Sequence, residues 1–341
     1  MASLSKTGKI DLINIGLLLF SCLLAFVIPF ELFLFVYAVL GPLHYLTEIS
    51  WLHDKNYYAQ SKRDVILLVV ISLFLTFLFI AGQYFPALKE RFVVYDDSTW
   101  FTSSFTFIAL GSALFIAFIK KPVIRFIGIV LTCLSVLLIH HSIIFFTVFL
   151  PTLVHVFLFT SLFMLYGALR SRSSLGLLTV VLHIACPFIL FYVLPGETFF
   201  GTTTGVKIYD DSTFRTLNFQ IMNDYFYNAE YEGKSFMEVT YYSKAGIAIM
   251  RFIAFAYTYH YLNWFSKTEV IRWHKVPQSR FVVVMVAWIV SVVLYYIDYT
   301  LGFQWLFLLS FMHVLLEFPL NFISIAGIFQ ELKIRLIKPT I

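Results

Sequence analysis

Charge is what this chain has least of. Of its 341 residues only 13% are Asp, Glu, Lys or Arg, where a soluble domain carries about 25%. It has three cysteines, Cys22, Cys133 and Cys186. Each lies inside an apolar run, which argues against both a disulfide framework and a thiolate metal site. There is no Gly-rich phosphate loop, no CxxC, no HExxH and no nucleophile elbow around a serine, so the common nucleotide, zinc-protease and hydrolase chemistries have no motif to stand on. No basic cluster is long enough to track a nucleic acid, and the net charge of +5 is better explained by membrane topology.

What remains is oil. Hydrophobic residues make up 60% of the chain, with 40 Phe and 20 Tyr, and the mean hydropathy is +0.86. Apolar runs near the length needed to cross a bilayer recur from end to end. The sequence therefore predicts an all-α, polytopic integral membrane helix bundle whose partner is the lipid bilayer. The first run follows Lys6 and Lys9 with no small-residue cleavage site behind it, and reads as a retained helix.

Ten helices are predicted, at 11–29, 31–52, 64–85, 100–119, 122–139, 142–169, 175–194, 245–265, 281–299 and 302–328. If the N-terminus is cytoplasmic, the inner segments hold 17 of the 24 basic residues and the outer segments six; Arg251 falls within the eighth span. The positive-inside rule thus favours ten spans with both termini cytoplasmic, as in a bacterial inner membrane. The chain reads as one transmembrane domain, 1–341, with the stretch 195–244 expected to fold over the outer face or lie along the interface. A second outer loop is 86–99. The two loops share the word YDDST, at Tyr95 and again at Tyr209. Two readings stay open: a parallel internal duplication of helices one to four in five to eight, or turn and cap residues chosen twice. Asp96, Asp97, Asp210 and Asp211 read as solvated turn residues rather than a cation site.

Ionisable groups at bilayer depth cost about 3 kcal/mol or more each, so each needs a reason. At 1.5 Å per residue, His44 and Glu48 (GPLHYLTE), His155 (LPTLVHVF), His260 (YTYHYLNWF), and His313 and Glu317 (FMHVLLEFP) fall in one slab between midplane and inner leaflet. The pairs His44/Glu48 and His313/Glu317 are four apart, so each faces one direction. Pro42, Pro151 and Pro319 lie close by and should loosen the helix, as irregular backbone beside a cavity does. His53 is about 180° around from His44 and reads, like His274, as an inner-surface residue. His140 and His141 fall in a short outer loop. His183, near Pro187, has a workable depth but no carboxylate companion. Imidazole and carboxylate donors suit iron, zinc or manganese. The expected metal ligands are His44, His155, His260 and His313. Glu48 and Glu317 are the candidate catalytic carboxylates, either as ligands or as partners that fix the tautomer of the histidine one turn before them. The competing reading is that the histidines only bond helix to helix.

These words resemble the Brp/Blh-type β-carotene 15,15'-dioxygenases, small all-helical membrane proteins. In that family four histidine-bearing helices, several with an acid a few positions on, hold a non-haem iron that activates O₂ and cleaves carotenoid to retinal. PLHYLTE and FMHVLLE are similar to its first and last segments, and VHVFLF and YHYLNWF stand for the middle two. The chain departs from the pattern in carrying Glu rather than Asp, in lacking a proline adjacent to His44, His155 or His313, and in lacking paired histidines around His260. The resemblance implies Fe(II) and a carotenoid; the donor set makes zinc the second choice, and the intramembrane site admits an isoprenoid or other lipophilic small-molecule substrate. The expected function is thus a membrane-embedded oxygenase. The alternative is a proton- or cation-coupled transporter or flippase using the same buried residues.

Overall fold

The computed structural model describes residues 5–56, 61–84, 98–138, 145–193, 198–212, 214–226 and 231–337. Helix is found, within those residues, at each of the ten predicted segments: α1 (Lys6–Val27), α2 (Pro29–Asp54), α3 (Lys62–Tyr84), α4 (Ser98–Phe118), α5 (Pro122–Ser135), α6 (Phe145–Phe159 running into Thr160–Ser171), α7 (Ser174–Val193), then, after two short helices α8 (Thr203–Asp211) and α9 (Arg215–Ile221), α10 (Lys244–Ser266), the single turn α11 (Thr268–Ile271), α12 (Gln278–Ile297) and α13 (Tyr299–Ile337). Six of them, α1, α2, α6, α7, α12 and α13, are long and apolar enough to cross a membrane. The last helix extends nine residues past the predicted end, as an exposed tail carrying Lys333 and Arg335; Arg335 donates to the Leu169 carbonyl at the end of α6.

Several helix starts share one local device. Ser5, Ser173, Thr202 and Ser243 each cap a helix, and each hydroxyl accepts from the amide of a glycine three residues on, Gly8, Gly176, Gly205 and Gly246. The cap satisfies one of the orphan amides of the first turn.

Proline places the irregular backbone. It supplies no N–H and its ring displaces the carbonyl four residues before it, so the ladder must shift register. A π-helical turn, Val36–Leu40, precedes Pro42 in α2. A π stretch, Phe145–Phe159, contains Pro151, and another, Ile189–Val193, follows Pro187 in α7. Pro319 departs from expectation, because α13 runs through it as α-helix.

At the centre of the bundle is α10. Sixteen of its residues are buried, among them Arg251, His260 and Asn263. It packs against α1, α2 and the π stretch of α6. Its polar side chains lower its hydropathy, so it is absent from the six apolar spans although protein surrounds it. Arg251, 1% exposed, donates from Nε to the Phe26 carbonyl at 3.0 Å and from Nη2 to the Thr198 carbonyl at 2.9 Å, with its guanidinium 4.0 Å from the Phe26 ring.

The described part of 195–244 is helical and packs on the end of the bundle where α2 begins. Glu31 Oε1 accepts from the Thr202 amide at 2.6 Å, and Tyr209 and Tyr241 set their rings edge-on to Phe30. The second YDDST word ends α8 and is structural: Tyr209 donates to Asn218, and Asp210 accepts from Tyr241. Asp96, Asp97, His140 and His141 lie outside the described residues.

Candidate metal centre

Four helices deliver the four predicted histidines to one place. His44 comes from α2, His155 from the π stretch of α6, His260 from α10 and His313 from α13. None is more than 8% exposed. Nε2 of His44 lies 3.0 Å from Nε2 of His260, and Nε2 of His155 lies 3.1 Å from Nε2 of His313. The two pairs interlock, since the His44 and His313 rings are 5.5 Å apart and the His155 and His260 rings 5.1 Å.

The π stretch explains how α6 reaches this point. His155 and Thr160 are five residues apart. On a regular α-helix they would diverge by about 140°, but a backbone bonded i to i+5 brings such a pair toward one face. Both meet His260: the His155 ring lies 5.1 Å away and Thr160 Oγ1 is 2.7 Å from His260 Nδ1.

The carboxylates sit differently from expectation. Glu48, one turn past His44, does not reach that ring's far nitrogen. Its Oε2 comes within 3.1 Å of His44 Nε2, the nitrogen that faces the other rings, without hydrogen-bond geometry. Glu317 turns from its own His313 to another helix, with Oε2 3.5 Å from His155 Nδ1. Two overlapping triads, His44–His260–His313 and His155–His313–Glu317, have donor atoms within 4.8 Å of one another, and His313 belongs to both.

These donors fit a transition-metal ion. Two nitrogens each about 2.1 Å from one ion and at right angles around it are about 3.0 Å apart, the spacing of both Nε2 pairs. Glu48 Oε2 and Glu317 Oε2 are buried with no hydrogen-bond partner. Imidazole-to-imidazole hydrogen bonds would satisfy the Nε2 atoms but leave those oxygens unpaired, a costly arrangement away from water. A cation would answer both.

Other predicted positions fall elsewhere. His53 is exposed beside Asp54, and His274 is exposed. His183 is fully buried but bonded to Ser161 and packed against Tyr259, apart from the four-histidine group. Sequence reasoning missed Tyr45, which stacks on His313 at 4.2 Å, and Tyr261, whose hydroxyl is 2.7 Å from that of Tyr45. It also missed Trp264, edge-on to His44 at 5.4 Å with Nε1 bonded to Thr47. The word HY occurs at 44–45 and again at 260–261, and that repetition could have flagged both tyrosines.

Glu317→Gln keeps the shape and removes the charge. It is expected to weaken metal binding about 10- to 100-fold, the usual cost of losing a charged partner behind a ligand, measured by metal titration against a competing chelator. Unchanged affinity would remove Glu317 from the centre. Comparisons with family models, curated proteins and solved structures return no match.

Proposed function

We propose that this protein is a membrane-embedded, non-haem metal-dependent enzyme acting on a lipophilic substrate, an oxygenase of a carotenoid, another isoprenoid or a lipid. The observation that carries the reading is the convergence of four imidazoles from four separate helices with two buried carboxylates. For a single intramembrane histidine an interhelical hydrogen bond suffices as explanation; for this set it leaves the buried oxygens of Glu48 and Glu317 without partners. The four histidines would hold the ion, with Glu317 behind His155, iron by the resemblance and zinc as second choice. When bound, such an ion supplies Lewis acidity and, in the case of iron, activation of O₂.

The chain's own residues do the remainder. Thr160 orients His260 by holding Nδ1, and Tyr45 fixes the plane of His313 by stacking on it. Burial of the whole group excludes water and leaves entry sideways from the bilayer as the natural route for an oily substrate. The distribution of Lys and Arg supports ten spans with both termini cytoplasmic, as in a bacterial inner membrane. The buried carboxylates and proline-broken helices also suit a proton- or cation-coupled transporter.

Elemental analysis of the purified protein separates the two. Near-stoichiometric iron or zinc, with loss of colour and appearance of an aldehyde product when the protein is co-expressed with a carotenoid, is the expected result. A metal-free protein that accumulates substrate at the expense of a proton gradient would replace the enzyme reading by the transporter one.

A further inference from the structure

A second polar group lies between α7 and α10, where His183 packs on α10. His183 is 0% exposed and its Nδ1 is 3.0 Å from Ser161 Oγ. The Ser161 hydroxyl donates to the Phe157 carbonyl at 2.8 Å, so its oxygen must accept from His183 Nδ1–H. That fixes the tautomer, and Nε2 is left as a bare acceptor, buried and unpartnered. The His183 ring rests against Phe255 and Tyr259 at 5.7 and 5.0 Å. Tyr259 and Asn263 are one turn apart on that stripe of α10. The Tyr259 hydroxyl and Asn263 Oδ1 are also buried without partners, with those residues 0% and 8% exposed.

We propose that His183, Tyr259 and Asn263 form a binding site for water inside the bundle, separate from the metal centre. The three atoms need a ligand that donates to Nε2 and Oδ1 and accepts from the phenol. A water molecule supplies two donors and two acceptors, and buried waters make about three hydrogen bonds of this kind. An anion does not fit, because only one of the three groups can donate. A cation is disfavoured, because none of the three side chains carries negative charge. Leaving the three atoms dry is unfavourable in a lipid-surrounded interior.

The route in is polar as well. Asn14 of α1 accepts from Ser266 just beyond Asn263, and Asp11 accepts from Ser173 at the start of α7. This seam between α1, α7 and α10 leads from the Lys6 end of α1 to His183. It stops at Tyr259, one residue before His260 in the chain.

Radiolytic labelling tests this with no metal or substrate required. Short X-ray pulses convert bound water to hydroxyl radicals, which oxidise the side chains touching it even where bulk solvent is excluded. In the intact protein in lipid nanodiscs, Tyr259 is expected to be oxidised roughly tenfold faster than Tyr261, because only the former would touch an ordered water. Tyr261 lies on the same helix, is equally buried, and has its hydroxyl bonded to Tyr45. Asn263→Leu should lower the Tyr259 rate to that of Tyr261. Equal, slow labelling of the two tyrosines in the unmodified protein overturns the proposal. So does Tyr259 labelling that survives Asn263→Leu. Should that variant not fold, the comparison within the unmodified protein decides alone.

Discussion

His313→Ala is expected to lower metal affinity by more than about a hundredfold, beyond the 10- to 100-fold typical of a residue standing behind the ligands. His313 is the shared member of the two triads, so its removal takes a nitrogen from both. His44→Ala and His260→Ala each leave His155–His313–Glu317 intact and should retain more metal. The ranking matters more than any single value, because a nonspecific loss of fold would affect all three alike. Alanine also removes the ring that stacks on Tyr45. His313→Gln keeps more of the volume and should show the same metal loss with less destabilisation. The measurement is metal titration on detergent-purified protein, with circular dichroism as the check on helix content. If His313→Ala binds iron and zinc as tightly as the unmodified protein, the histidines are interhelical hydrogen bonds and the enzyme reading fails. In that case the variant should show only the cost of unpaired buried groups, about 1–3 kcal/mol.

The largest effect on stability is expected away from the centre. Arg251→Met should destabilise the protein by about 3 kcal/mol, since two backbone carbonyls lose a charged donor in a water-poor interior. Arg251 ties the end of α1, through the Phe26 carbonyl, to the start of the segment that packs over the bundle, through the Thr198 carbonyl. Its guanidinium lies over the Phe26 ring, an attraction that strengthens where water is excluded. Methionine matches the stem but offers no donor. Arg251→Lys should rescue little, because an ammonium does not reproduce the planar fork that serves two carbonyls and a ring together. Equilibrium unfolding in mixed micelles measures the change. The folded fraction should bind metal as before. Stability equal to the unmodified protein would show that neither carbonyl depends on the guanidinium.

Some of the site was legible because its signals are local. The i, i+4 spacing of His44 with Glu48 and of His313 with Glu317 places each pair on one helix face, wherever the helix goes. Depth follows from counting residues along an apolar run, and it put His155 and His260 in the same slab. The choice of partner was not legible. Glu317 answers to His155 on another helix rather than to His313 on its own. Thr160 joins His260 because a π stretch rotates it there, whereas α-helical spacing from His155 would turn it away.

Composition and periodicity alone determined that this is a membrane protein built of helices, and that a few ionisable residues lie deep within it. Those properties depend on the chain's transfer from water to lipid and on the pitch of a helix, and both are written in a single segment. Tertiary packing decided that α10, at the eighth predicted span, lies buried among the other helices. It also decided that four rings meet while His183 turns away to a separate pocket. Which face of one helix meets which face of another depends on rotation, register and side-chain fit between segments distant in the chain, and no single run of residues carries that information.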